Sequence, residues 1–268
     1  MDYFSVTFSF PRELYDSFSD TLFSLGCLGT EVISEGERIE VRAFFRERPN
    51  LPEELIPFVR AEEEVEDRDW NEEWKKYFKP VRVSERIYVI PSWQKESFSP
   101  PPGAVPIYIY PGRTFGTGTH ETTKLSMRFI EEVLRPGYSF LDVGIGSGIL
   151  SILAKKLGAG RVVGCDVQPE VLKEVPVNEE LNGVSGIELV LGGPQEVRGS
   201  FDVVVSNIEK HILDSLVPVI AEKSDRWIIL SGILKLQDEA FRETLRDCGL
   251  SLVKTSEEGE WMAYLCRK

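Results

Sequence analysis

Hydrophobic and polar positions follow two regimes along the chain. Over the first 66 residues they alternate in short stretches. Tyr3 to Phe10 sets aromatic or aliphatic residues against Ser and Thr with a period of two, the signature of a half-buried strand. Pro11 opens a predicted helix whose apolar residues Leu14, Phe18, Leu22 and Leu25 recur every three or four positions, and Gly26 and Gly29 end it. Strands are predicted over Glu31 to Ser34 and Arg38 to Phe45, with Glu35-Gly36 as a tight turn between them. A short helix starts at Pro52, and a last strand covers Ala61 to Glu66. The order β-α-β-β-α-β is the ferredoxin-like pattern, so residues 1–66 are expected to form a small α+β domain.

An acidic run, Glu62, Glu63, Glu64, Glu66 and Asp67, reads as a solvated edge. Asp69 to Phe78 reads as a helix, with Trp70, Trp74, Tyr77 and Phe78 on one face at i, i+4, i+7 and i+8. Residues 67–79 are therefore expected to be a linker helix whose aromatic stripe seats the small domain on a larger one.

From residue 80 to 268 helical periodicity alternates with continuous apolar runs. Val81 to Val83 and Arg86 to Pro91 suggest a hairpin, and Ile107 to Tyr110 another strand. An amphipathic helix runs through Leu134. Strand and helix then alternate: Tyr138 to Val143, Ile149 to Leu157, Arg161 to Cys165, a helix over Val167 to Val175 interrupted by Pro176, and Ile187 to Leu191. Phe201 to Ile208 is followed by a helix over Glu209 to Ala221, a strand over Trp227 to Ser231 and a helix over Lys235 to Cys248. Strands near Leu250 to Thr255 and Trp261 to Cys266 complete the series. Strands apolar on both faces, such as Phe201 to Val205, suit a parallel sheet covered by helices on each side. The expected class is α/β, a doubly wound sheet.

Ligands of such sheets bind beyond the carboxyl ends of the strands. The apolar run ending at Val143 stops at Gly144, Gly146 and Gly148, and helix formers follow. Strand, glycine turn and helix bring backbone N–H groups and a positive helix end close to a nucleotide-like ligand. A dinucleotide fingerprint reads Gly-x-Gly-x-x-Gly. Here glycines fall on alternate positions and Ile149 stands where the third dinucleotide glycine would be. That tighter form, with Asp142 ahead of it, resembles the S-adenosylmethionine loop of class I methyltransferases; a glycine turn with no ligand gives the same letters. Asp166 lies near the ~20-residue offset at which an acid ending the second strand meets ribose hydroxyls, and it also suits a helix cap before Pro169. Asn207 ends another strand. Its side-chain carbonyl and the carbonyls around Ile208 can accept hydrogens from an amine, although a polar residue there also caps a helix. In the Gly- and Thr-rich stretch Pro111 to Thr123, Thr123 is placed to offer a hydroxyl to the ligand, and His120 is a candidate base or, more ordinarily, a structural residue.

Net charge is −13 over 268 residues. Attraction to a phosphate backbone is therefore excluded as the main means of binding, and a basic protein partner suits the charge better. Four dispersed cysteines without a Cys-x-x-Cys pair and only two histidines argue against zinc and for a reducing compartment. No apolar run approaches the ~18–20 residues of a membrane span, and the amino terminus opens on a strand pattern rather than a targeting segment. A cytoplasmic location is expected, with no membrane and no direct nucleic-acid partner.

Six segments together resemble the PrmA methyltransferases, which methylate large-subunit ribosomal protein L11. They are Asp69 to Trp74, Pro91-Ser92-Trp93, Phe115 to Thr123, Leu141 to Leu150, Val205-x-Asn-Ile208 and Leu230-Ser-Gly-Ile-Leu234. The resemblance implies a class I S-adenosylmethionine-dependent methyltransferase domain over residues 80–268, Rossmann-like, with residues 1–66 as the ferredoxin-like substrate-recognition domain. It implies S-adenosyl-L-methionine as cofactor and L11, a basic protein, as substrate, methylated on lysine ε-amino or amino-terminal α-amino groups; a monomer is expected. Thr123, Gly144, Asp166 and Asn207 carry over as cofactor contacts. With Asp142, Gly146, Phe115 and Thr117 they make the candidate cofactor set, and Asn207 with Ile208 the candidate catalytic pair; no metal ligand is expected. Three departures stand out. The family's Asn-Ile-Leu-Ala becomes Asn207-Ile208-Glu209-Lys210, which places charges near the substrate entrance. Ile145 replaces a cysteine in the glycine loop, and Pro176 falls inside a helix where it costs about 3 kcal/mol unless a kink absorbs it. Methyl transfer to another protein amine or amide, a non-catalytic S-adenosylmethionine-binding module and a nicotinamide oxidoreductase remain the rival readings.

Overall fold

A computed structural model describes residues 3–14, 18, 21–22, 25–27, 29–36, 38–52, 54–65, 79–110 and 118–268. The linker helix expected over 67–79, with its four aromatics, lies almost entirely outside the described residues, as do Phe115 and Thr117. The chain divides into two compact units, Met1–Phe78 and Lys79–Lys268.

In the first unit, β1 (Tyr3–Pro11), β2 (Gly29–Glu35), β3 (Arg38–Phe45) and β4 (Val59–Val65) form an antiparallel sheet in the order β2-β3-β1-β4. This is the ferredoxin-like arrangement: each crossover skips one strand position, so sequence neighbours β1 and β2 flank β3. Val6, Phe8 and Phe10 of β1 and Ile39, Val41 and Ala43 of β3 are buried, as period-two alternation requires. Phe18 and Leu22, both helical, cover that face; the Phe18 ring stacks on Phe10 at 4.0 Å and meets Phe58 edge-on at 5.3 Å. The second expected helix shrinks to a single 3-10 turn, Ile56–Phe58. Pro57 explains this, because in a helix begun at Pro52 it would fall in the interior, where it lacks the N–H for the fourth residue back, whereas it is tolerated at the start of a short turn.

The second unit holds a seven-stranded sheet made of β8 (Phe140–Val143), β9 (Val162–Asp166), β10 (Ile187–Leu191), β11 (Phe201–Asn207), β12 (Ser224–Leu234), β13 (Ser251–Glu258) and β14 (Trp261–Arg267). Its order is β10-β9-β8-β11-β12-β14-β13; the first five are parallel and β14 runs antiparallel to both neighbours. Helices α1 (Glu121–Val133), α2 (Ile149–Lys156) and α3 (Val171–Asn182) pack on one face, and α4 (Lys210–Lys223) and α5 (Asp238–Asp247) on the other. Alternate residues of β11 divide between the two layers: Val203 and Val205 join the first core and Val204 the second. This is the doubly wound, Rossmann-like sheet of class I methyltransferases. The strand order reverses between β8 and β11, and that reversal opens a crevice at their carboxyl ends.

A three-stranded sheet adds β5 (Val81–Arg82), β6 (Ile87–Pro91) and β7 (Val105–Ile109). β6 pairs antiparallel with β5 and parallel with β7, so the expected hairpin and the expected lone strand are one sheet. Pro176 does not interrupt a helix, contrary to the sequence expectation. Helix α3 starts at Val171, after Pro169, and runs unbroken to Asn182 with Pro176 inside it. Pro176 and Leu172 both lie on the exposed face, so the carbonyl that loses its donor is on the side of the helix that water reaches.

Candidate active site

Gly144, Gly146 and Gly148 carry φ values of +77°, +50° and +80°, conformations that a Cβ would strain. Gly144 N–H donates to the Cys165 carbonyl at 2.8 Å and Ile145 N–H to the same oxygen at 3.1 Å, which fastens the turn to the end of β9. The loop also packs hard against the end of β11. A Cβ on Gly144 would sit 2.6 Å from Ile208 Cδ1.

Asp166, the last residue of β9, accepts from Gly146 N–H through Oδ2 and from Gln168 N–H through Oδ1, both at 3.0 Å. Two of its four lone-pair positions remain for hydroxyl donors. Beside it are exposed apolar side chains, Val167 and Leu191, the latter paired with Asp166 across the sheet. A carboxylate next to an open apolar ledge suits a ribose carrying a flat base. Asp142 is fully buried behind the loop, where its Oδ2 accepts from Ser151 Oγ at 2.8 Å. Burial, partly offset by Ser151 and reinforced by the Asp166 charge, pushes its carboxyl up to about 7.

Asn207 ends β11, and its Nδ2 donates to Thr123 Oγ1 at 3.3 Å. Thr123 is buried in the first turn of α1. Once the amide's N–H₂ end is turned toward Thr123, its carbonyl end is the free acceptor. Ile208 N–H donates to the Ser231 carbonyl at 3.1 Å, and Gly232, at φ +95°, leaves room for the Ile208 carbonyl, which a Cβ would approach to 2.3 Å. Two glycines 88 positions apart in the chain therefore make room for Ile208, Gly144 for the end of its side chain and Gly232 for its carbonyl.

Six of the nine candidate positions thus form one connected patch: Asp166 to Gly146, Gly144 to Ile208, and Asn207 to Thr123. Asp142 lies behind that patch, and Phe115 and Thr117 fall outside the described residues. His120 serves as the cap of α1. Its Nδ1 accepts from Thr122 N–H at 3.3 Å, and its ring meets Trp261 edge-on at 5.0 Å. Glu209 is exposed and pairs with His211 at 3.3 Å, whereas Lys210 is held by Asp214 at 2.5 Å. Among the described residues no cluster of His, Cys, Asp or Glu is arranged to hold a metal. A polar groove lined by Arg135, Tyr138, Arg226 and Trp227 lies at the opposite, amino-terminal ends of the strands and contains none of these residues. The sequence assigns no individual role to Gly232 or Asn178, although the Leu230-Ser-Gly-Ile-Leu234 motif contains the first and the Val175-Pro176-Val177-Asn178 stretch, which stands for a family Ala/Arg-Glu-Asn helix, the second.

Known proteins match this arrangement in sequence and in fold. The family model described as ribosomal protein L11 methyltransferase (PrmA) matches residues 50–268. The chain belongs to the ribosomal protein L11 methyltransferase family. Relatives carrying that name include one from Caldanaerobacter subterraneus subsp. tengcongensis, 37% identical over 88% of this chain and 82% of its own length. Another, from Myxococcus xanthus, is 34% identical over 97% of this chain and 96% of its own. The crystal structure of a ribosomal protein L11 methylase from Lactobacillus delbrueckii subsp. bulgaricus superposes with a TM-score of 0.67 at 32% identity, covering 71% of this chain and all of that one. In this fold Asn207-Ile208 and the three glycines lie at the carboxyl ends of β11 and β8, the neighbouring strands between which the order reverses.

Proposed function

We propose that the protein transfers methyl groups from S-adenosyl-L-methionine to ribosomal protein L11, on lysine ε-amino or amino-terminal α-amino groups. The observation that carries this is the joining of Thr123, the 144–148 loop, Asp166 and Asn207, from four separate elements, at the point where strand order reverses.

The residues fit the cofactor. Loop 144–148 and the amino end of α2 would hold its polar chain, with Thr123 beside them. The remaining lone pairs of Asp166 would accept from ribose hydroxyls, and the exposed Val167 and Leu191 would flank the base. When bound, the sulfonium supplies an electrophilic methyl. The protein's part is to present a neutral amine in line with it. A lysine amine has a pKa of about 10.4 and an α-amine about 7.7–8.0, so a proton must pass to solvent first; the new N–C bond would then replace the S–C bond, with the neutral thioether as leaving group. The Asn207 carbonyl, aimed by Thr123, accepts one amine hydrogen, and the Ile208 carbonyl, fixed by Ser231 and Gly232, accepts a second. Together they direct the lone pair at the methyl; the remaining acceleration is positioning and exclusion of water.

The net charge of −13 suits a Lys-rich protein and needs no nucleic acid. The ferredoxin-like unit is the natural recognition domain, and the protein is read as a cytoplasmic monomer. No helix among the described residues is long and apolar enough to cross a membrane. The test is transfer of labelled methyl to purified L11, with mass spectrometry of the product. Asn207→Ala should cut turnover on the order of 10²-fold, the scale for losing alignment of a reacting group, with little change in cofactor affinity. Equal loss of both removes Asn207 from the chemistry.

A further inference from the structure

Strand β7 is an edge of its sheet, yet its outer rim is not left to water. Asn182 covers Tyr108 completely: its Oδ1 accepts from Tyr108 N–H at 2.8 Å and its Nδ2 donates to the Tyr108 carbonyl at 2.6 Å. One helical turn earlier, Asn178 Oδ1 accepts from Tyr110 N–H at 3.0 Å. Residues i and i+4 of a helix are about 6.0 Å apart along its axis. Residues i and i+2 of a strand are about 6.6 Å apart. Two asparagines spaced by four on α3 can therefore stand in for a neighbouring strand. Pro106 fits the same scheme, since its missing N–H falls by alternation on this rim, beyond the reach of the pair.

Asn178 does more than its partner. It is buried at 1% exposure, and its Nδ2 donates to the Ser147 carbonyl at 2.9 Å. Ser147 lies between Gly146 and Gly148 in the candidate cofactor loop. One side chain thus uses its acceptor on Tyr110, the residue that follows β7, and its donor on that loop, and Pro176 two positions earlier leaves the helix unbroken through both contacts.

We infer that Asn178 is a positioning residue that ties the 144–148 loop to the rim of β7 and so sets the loop's shape for the cofactor. The inference rests on the proposed S-adenosylmethionine site, because it concerns the loop assigned to that ligand. Asn182 touches β7 and α3 but not the loop, which makes it the internal control.

The test uses the full chain and three variants, Asn178→Ala, Asn178→Asp and Asn182→Ala. Hydrogen exchange at the Tyr108 and Tyr110 amides reads the clamp by NMR, and calorimetric titration with S-adenosylmethionine reads the loop. Asn178→Ala should lose Tyr110 protection and weaken cofactor binding roughly tenfold, the scale of one or two hydrogen bonds left unmade. Asn178→Asp keeps an acceptor for Tyr110 but has no donor for Ser147, so it should retain Tyr110 protection and still lose affinity. Asn182→Ala should lose Tyr108 protection while binding within about twofold of wild type, since no hydrogen bond to the loop is removed. In methyl transfer, the Asn178 variants should raise the KM for cofactor more than they lower kcat. Wild-type affinity in Asn178→Asp, or equal weakening in Asn182→Ala, overturns the inference. A wild-type chain that binds no S-adenosylmethionine overturns the functional proposal instead, and the exchange data still report whether the clamp exists.

Discussion

Gly232→Ala is the substitution that most directly tests how the end of β11 is held. Gly232 occupies φ +95°, where an L residue is strained by about 1–3 kcal/mol whatever its neighbours. Its added methyl would also stand 2.3 Å from the Ile208 carbonyl oxygen and 2.7 Å from the carbonyl carbon. Both are backbone atoms, so no rotamer change relieves the contact. Ordinary van der Waals separation requires a retreat of about 1 Å by Ile208 or by the bulge at Ser231 to Ile233, where pairing with β14 already shifts register. The atom pressed is the Ile208 carbonyl itself, so a retreat on that side moves the carbonyl proposed to orient the amine. A 1 Å misplacement costs on the order of 10²-fold in rate, or about 2.7 kcal/mol of barrier. The assay is labelled methyl transfer to L11 at saturating S-adenosylmethionine, with cofactor affinity by calorimetry and stability by denaturant unfolding. Gly249→Ala is the control: φ is +69° there, but nothing lies within 4 Å of the added Cβ. Both variants should lose a similar 1–3 kcal/mol to backbone strain, and only Gly232→Ala should lose turnover. A folded Gly232→Ala protein with kcat within about twofold of wild type would refute the view that the Ile208 carbonyl must be fixed for chemistry.

Two further predictions concern charge. Asp142, with its carboxyl raised to about 7 by burial, resists ionisation in the folded protein, whereas in the unfolded chain it ionises near pH 4. The folded state then holds a proton that the unfolded state releases, so the stability contribution is intact at acid pH and is lost as pH rises from about 4 to 7, at up to 1.36 kcal/mol per pH unit. Asp142→Asn removes that slope. Relative to the variant, wild type should lose on the order of 2–3 kcal/mol between pH 5 and pH 8 in denaturant unfolding, and parallel pH profiles would show that Asp142 is not the responsible group. Glu209 is exposed at the start of α4, while the neighbouring Lys210 charge is taken up by Asp214. Glu209→Gln should raise the KM for L11 about two- to fivefold at low salt, with kcat unchanged, and the effect should fade as screening increases. An equal effect at high salt would mean that Glu209 does not act through charge.

The parts of this site legible in the sequence are those where one residue type answers one local demand. Three left-handed turns in five positions need glycine, and an acid ending β9 reaches the loop beside it; neither depends on a remote partner. The ferredoxin-like order showed for the same reason, since period-two burial in β1 and β3 is a local property. What stayed hidden depends on groups brought together from a distance. Asn178 looks like one more polar position in a helix until the fold brings up Tyr110, 68 residues away in sequence and just past β7, whose N–H it accepts. Pro176 looked like a break because the rule against interior proline assumes that the orphaned carbonyl has no other partner, and here that side of α3 faces water. His120 reads in the sequence more as a structural residue than as a base, but which N–H its ring nitrogen accepts, that of Thr122 at the start of α1, shows only in the fold. Gly232 is the sharpest instance. Nothing beside it in the sequence demands glycine; the demand comes from the Ile208 carbonyl on the neighbouring strand. A methyltransferase crevice needs such points, because strand tips fix where a residue begins, while only contacts across strands fix where its carbonyl aims.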